Sequence, residues 1–356
     1  MKKTSIYLLL LGIILVGNLY GQTNSEVFSF AQYSPSARLT GLGQYGTALI
    51  DEDAGLALSN PASIWDSITL EASFQHGFLK PGIQFGRFYI ADRIEHLNFQ
   101  WIAGLSYSDH GEITQADPFG NRLGTFEAKS MSIFAGVSKR LYKNLFVGAQ
   151  LEYLQGTLEN YFSNGLATHW GILYIIPEKK FNIGLSWNQI GFQWAPFEET
   201  REDLRSNLQV AISKRLAHLP FRFSIIYHQL NHWNLLYDSP ISEENILIIG
   251  QLESERSPFA LFMDNFSRHL AINGEFFIGK KEQLRLRLGY DHQRRKELSI
   301  NNWNSLAGFS AGFAFNIKRV SFDYGWASYH LSGGIHHIGI QYRVGESGLA
   351  THPGIL

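Results

Sequence analysis

The chain of 356 residues has no cysteine, which excludes disulfide scaffolds, thiolate metal centres and cysteine nucleophiles together. Charge is also scarce. Only 17% of residues are charged, and 30 basic against 31 acidic side chains leave a formal net charge of −1. Such a balance creates no field to draw nucleic acid. Long hydrophobic runs are missing too. The one apolar run, Ile6–Val16, has 11 residues, whereas a membrane-spanning helix needs about 20.

What is present is apolar and aromatic. Hydrophobic residues make up 45%, aromatics 14%, and glycine occurs 34 times, so extended disorder is excluded. The length allows two globular domains or one large barrel. The mean hydropathy of −0.11 resembles that of a soluble protein. At the start, Lys2 and Lys3 precede Ile6–Val16, and Gly21 precedes Gln22, the layout of a secretory signal peptide over 1–21. An exported chain is expected, and any membrane residence must come from strands.

From about Ile68 onward, apolar residues recur at every second position, as strands with two different faces require. Leu284, Leu286, Leu288 and Tyr290 alternate with Arg285, Arg287, Gly289 and Asp291. Phe181, Ile183, Leu185 and Trp187 alternate with Asn182, Gly184, Ser186 and Asn188. One face is large and aromatic, the other small or charged, the pattern of a barrel with lipid outside and polar side chains inside. The expected fold is therefore an all-β, antiparallel, transmembrane outer-membrane β-barrel of about 14 strands. The strands run from 68–78 to 334–344. Short basic connections alternate with longer ones at 110–122, 191–203, 231–266 and 293–305, so both termini are expected on the periplasmic side. The expected organisation is signal peptide 1–21, periplasmic or plug-like segment 22–67, barrel 68–344 and tail 345–356.

Segment 22–67 does not alternate. A helical turn is expected at Ala54–Leu58 with Asp53 as its cap. Asp51-Glu52-Asp53 lacks the glycine and distal glutamate of a calcium loop and reads as a solvated acidic turn. Gly41-Leu42-Gly43-Gln44-Tyr45-Gly46 matches GxGxxG, but no βαβ context surrounds it. Gly308-Phe309-Ser310-Ala311-Gly312 matches GxSxG, yet it sits inside a strand and not at a strand-to-helix turn. Adjacent His336 and His337 fall on opposite faces, and His228 and His232 lack nearby carboxylates for a metal. Arg222, Glu275, Arg285, Arg287, Asp291 and Asp323 fall on polar faces and are expected to pair inside the lumen. No catalytic residue, cofactor site or metal site emerges, and no enzyme is expected.

Several stretches resemble a known family. Tyr33–Ile64, with Asn60-Pro61-Ala62, resembles the N-terminal segment of the long-chain fatty-acid transporter-like barrels, which include PorV and PorQ of the type IX secretion system. Gly120–Phe126, Pro220–Ser224 and the stretch from Arg268 through Gly289–Arg295 to Tyr329-His330 resemble the PorQ family more narrowly. This resemblance implies a 14-stranded barrel in the cell-surface attachment complex with PorU, PorV and PorZ. There it would tether a PorZ-like surface protein, while a PorU-like sortase joins cargo to lipopolysaccharide.

A non-enzymatic barrel that holds a soluble partner through its external loops is thus the expected function. Its candidate partner-binding residues are Trp233, Leu235, Leu236, Tyr237, Phe259, Phe262 and Met263, because aromatic and methionine side chains are enriched at interfaces. The alternative is a transporter or channel for hydrophobic small molecules, which needs an apolar pocket. Inward faces of Gly, Ser, Asn and Arg are poor lining for one.

Overall fold

The computed structural model describes residues 27–64, 66, 68–79, 82–236, 257–298, 306–330 and 333–344. Segments 1–21 and 345–356 lie outside the described residues. Fourteen strands close into one antiparallel barrel, each paired with its chain neighbours and the first with the last. They are β1 (Glu71–Leu79), β2 (Ile83–Ile94), β3 (Phe99–Ala116), β4 (Arg122–Tyr142) and β5 (Leu145–Leu158). Then follow β6 (Tyr161–Ile176), β7 (Phe181–Ala195), β8 (Asn207–Arg215), β9 (Phe221–Tyr227) and β10 (Leu270–Ile278). The last four are β11 (Leu284–Asp291), β12 (Phe309–Ile317), β13 (Val320–His330) and β14 (Gly333–Arg343). Closure leaves no unpaired edge, as hydrocarbon surroundings demand. No described helix is long and apolar enough to cross a membrane.

The expected alternation is seen in the side chains. On β11, Arg285, Arg287 and Asp291 are buried in the lumen, while Leu286 and Leu288 stand exposed on the outer wall. Phe313 and Phe315 of β12 face outward and Ser310 and Ala314 inward. The wall presents exposed Phe, Leu, Ile and Trp to lipid, which is why an overall hydropathy near zero is compatible with a membrane protein.

The sequence reading needs correction in three places. Most of 110–122 is strand and not loop, because β3 and β4 extend to Ala116 and from Arg122, leaving a turn that Asp117 ties through its Oδ1 to the Asn121 amide at 2.8 Å. The segment between β9 and β10 contains a helix, α2 below, where only loop was expected. The connections expected at 191–203 and 293–305 are also partly regular: a helix occupies His292–Glu297, and β7 runs on to Ala195 through a break of phase. Gln189 adopts φ 59, and the pairing with β6 slips between Thr168 and Trp170. This β-bulge reverses the inward–outward phase for the rest of the strand.

Residues 27–64, before the barrel in sequence, lie inside it. Helix α1 (Ala37–Gly41) is capped by Ser36, whose Oγ accepts from the Leu39 amide at 3.2 Å. The turn Ala54–Leu58 forms where it was expected, with Asp53 Oδ1 accepting from the Gly55 amide at 2.9 Å. Asn60 caps the next turn, Pro61–Ser63, with proline at a first-turn position where no amide is needed. These short pieces leave many plug carbonyls without partners of their own, and inward amides of the wall supply them. Asn273 donates to the carbonyls of Leu42 and Tyr45 at 3.0 and 2.8 Å, Asn182 to Ala48 at 3.2 Å, and Asn188 to Ser59 at 3.0 Å.

Candidate functional site

The densest chemistry in the molecule is where plug meets wall. Arg38 of α1 is 1% exposed and forms a fork to Asp51 at 2.7 and 2.9 Å. It also donates to Asp53 at 2.9 Å and to Glu275 of β10 at 3.2 Å through two nitrogens. Arg222 of β9 reaches Asp51 at 3.0 Å and also pairs with Glu275. Arg287 donates to Glu275 at 3.1 Å and pairs with Asp323, while Arg285 stands 3.7 Å from Asp51. Four arginines therefore neutralise four carboxylates in the buried interior, the condition for keeping any buried charge.

The inward placement expected for Arg222, Glu275, Arg285, Arg287, Asp291 and Asp323 is observed. Asp51 and Asp53, by contrast, are not a solvated turn. They are 4% exposed each, because Arg38 draws both into the lumen. Sequence reasoning missed Arg38, since an isolated arginine in a non-periodic segment carries no signal of its partners.

The two apparent motifs turn out to be two sides of one contact. Gly41, the first glycine of GxGxxG, packs on the Gly312 backbone, and Ser310 Oγ donates to the Gly41 carbonyl at 3.2 Å. A Cβ on either glycine would press into backbone. Ser310 is engaged with the plug, inside a strand, with no histidine among its contacts. The Asn60-Pro61-Ala62 turn makes the equivalent contact on the other side. It lies directly against Gly171 of β6 and Gly148 of β5, where a side chain would overlap it.

At the end of the barrel that carries the longer connections, α2 (Pro258–Arg268) and α3 (His292–Glu297) cover the rim. Ser257 caps α2 through the Ala260 amide at 3.3 Å, with Pro258 in its first turn. This Ser-Pro pair was the available signal for the helix. The helix is amphipathic in an inverted sense. Its polar side faces the protein: Asn265 accepts from the Leu235 amide at 2.8 Å, Arg268 donates to the Leu235 carbonyl at 3.1 Å, and Asp264 binds Lys296 of α3 at 3.2 Å. Burial raises the affinity of Asp264 for a proton, but hydrogen bonds from Arg268 and Lys296 outweigh it and hold the carboxyl below its usual range.

The apolar side looks outward. Phe259 is 73% exposed, and Phe262, Met263 and Phe266 are exposed beside it. Trp233 is exposed as well, with its ring 6.2 Å from Phe262 and 5.1 Å from His269. Four of the seven candidate partner-binding residues therefore form one outward patch: Trp233, Phe259, Phe262 and Met263. Leu235 does not join it. It is buried, because its backbone is pinned at both ends by α2. Leu236 is half-buried, and Tyr237 lies outside the described residues.

Beneath this rim, the main cavity among the described residues, about 150 Å3, is lined by Arg87, Gln150, Glu152, His169 and Gln209 together with plug residues. It is polar, unlike a pocket for a hydrocarbon. Beside it His228, just past β9, is fully buried, stacks on Tyr45 at 4.7 Å and finds no hydrogen-bond partner for either ring nitrogen. Burial lowers its proton affinity, to a pKa of about 4, against the opposing pull of Asp291. No three described His, Asp or Glu side chains are grouped as a metal would require.

No protein-family profile and no characterised protein matches the chain by sequence. Solved structures do match in fold. The Pseudomonas putida toluene transporter TodX superposes with a TM-score of 0.52 at 10% identity, over 86% of this chain and 96% of its own. The CymD monoaromatic hydrocarbon channel gives 0.52 at 10% identity, over 91% of this chain and 100% of its own. At that identity the likeness concerns architecture alone: this chain is a closed 14-stranded antiparallel barrel of the outer-membrane kind.

Proposed function

We propose that this protein works through its outer-membrane surface and not through its pore, as a plugged platform that holds a soluble partner at the longer-loop end. In this reading that end faces outward from the cell and both chain ends are periplasmic. The observation that carries it is the lumen, filled by a plug that buried ion pairs fasten to the wall of β9, β10 and β11. The outward patch on α2 supports a docking role, since exposed apolar groupings of this kind mark interaction sites. The finer assignment, a type IX attachment component with PorZ-like, PorU-like and PorV-like partners, rests on the sequence resemblance alone.

A second reading is favoured by the fold comparisons over that finer assignment: a channel for hydrophobic small molecules, as TodX and CymD are described. It requires the plug to open an apolar route past the charged network. Two measurements separate the readings. Purification from detergent-solubilised outer membrane should retain a surface protein, and Phe259→Asp with Phe262→Asp should release it while the barrel still inserts. Uptake of labelled toluene or fatty acid into proteoliposomes, with no retained partner, would replace the platform by the channel.

A further inference from the structure

The polar cavity of about 150 Å3 between the plug and the wall has features that filling the lumen does not require. The bulge at Gln189 turns two consecutive residues inward: Asn188 donates to the Ser59 carbonyl at 3.0 Å and Gln189 to the Ala31 carbonyl at 2.8 Å. Bulges that re-aim side chains in this way are concentrated at functional sites. Asn188 Oδ1 and Gln150 Oε1, both at this cavity, have no donor, and Gln150 is only 6% exposed. Buried amide oxygens left without a donor are costly and call for a partner.

Arg87 of β2 supplies the charge. It lies over the Phe134 ring at 5.3 Å, and among the described residues it has neither an ion pair nor a hydrogen bond. The one acid lining the cavity, Glu152, is already committed. Its Oε1 accepts from Ser132 at 2.6 Å and its Oε2 meets His169 at 3.0 Å. Arg205 and Arg294 line the same space but are engaged, Arg205 donating to Gln229 at 2.8 Å and Arg294 lying 3.6 Å from Asp291. A guanidinium with its fork unused is matched in shape and charge by a carboxylate, and a cavity of roughly this volume admits a six-membered ring of heavy atoms.

We infer that this cavity binds a small hydroxylated carboxylate, with its anionic end on Arg87 and its hydroxyls donating to Gln150 and Asn188. The inference is independent of whether the barrel tethers a partner or conducts.

Isothermal titration calorimetry on the full chain in detergent tests it with D-glycerate, the neutral glyceramide, the hydroxyl-free propionate and inorganic phosphate. Saturable binding of glycerate is expected, weaker by about tenfold or more for the other three, since glyceramide lacks the charge, propionate the hydroxyls and phosphate the separation between the two. Arg87→Gln and Gln150→Leu should each weaken glycerate by about tenfold, with heat-modifiable gel mobility as the check that the barrel has folded. Absence of glycerate binding overturns the assignment. So does phosphate or glyceramide binding as tightly as glycerate, or full affinity in folded Arg87→Gln. The comparison of ligands on the unaltered protein decides the matter even if a variant fails to fold.

Discussion

Replacing Arg38 with methionine removes the side chain that fastens plug to barrel and leaves its volume nearly filled. Three carboxylates lose a donor, but unequally. Asp51 keeps Arg222 and Arg285, and Glu275 keeps Arg222 and Arg287. Asp53 loses the one ion-pair partner it has among the described residues, retaining a hydrogen bond from Gln341 at 3.0 Å. Stranding a buried charge costs about 3–5 kcal/mol, and the surviving pairs place this case near the lower end. About 3 kcal/mol corresponds to roughly two orders of magnitude in the docked-to-undocked ratio of the plug.

The readout is twofold: denaturant midpoint of the barrel in detergent, and conductance in planar bilayers. Arg38→Met should lower the first and raise the second. Arg38→Lys, which keeps charge but loses the fork, should fall between it and the native protein. Adding Asp53→Asn to Arg38→Met should recover part of the loss, because the stranded charge is gone. A barrel whose midpoint and conductance are both unchanged by Arg38→Met would refute the claim that this network holds the plug.

Other outcomes follow from single contacts. Gly171→Ala places a methyl group into the Asn60 turn and should cost about 1–3 kcal/mol of overpacking, read as a lower unfolding midpoint. Ser310→Ala should leave any hydrolytic background of the preparation unchanged and lower stability by about 1 kcal/mol for one hydrogen bond. His228 stays neutral in the fold down to about pH 4, whereas an unfolded histidine titrates near 6.5. Between those values the unfolded chain binds more protons, so stability falls as pH drops through that window, by up to about 3 kcal/mol at full development. In His228→Phe that share of the acid sensitivity should vanish when unfolding is compared at pH 7 and pH 4.

The barrel itself was readable because period-two patterning is a local property: each of β10–β14 carries its own evidence of inside and outside. The plug was readable only in the Ala54–Leu58 turn, through Asp53, whose capping is also local. What escaped was everything fixed by tertiary pairing. Arg38 meets Glu275 across 237 positions of sequence, and no spacing rule connects them. The bulge at Gln189 escaped because one inserted residue looks like ordinary continuation of the strand. The helix α2 was hidden by its inverted faces, since an apolar stripe in a long loop does not disclose whether it looks in or out. Of the residues proposed for partner binding, Trp233, Phe259, Phe262 and Met263 are exposed and Leu235 is buried, a difference that residue type does not report because it comes from backbone pinning.

The reach of Arg38 also has a consequence for how the molecule is assembled. The plug is made before any strand, yet its ionic partners on the wall belong to β9, β10 and β11. Loops of that span close slowly. Arg38 meets Asp51 and Asp53 within the plug from the start, so a nascent chain carries the excess negative charge of that cluster until Arg222 and Arg285 arrive on β9 and β11. A chain cut short before β9 would hold Arg38 between two aspartates in an open sheet, with neither Arg222 nor Arg285 to balance the second carboxylate.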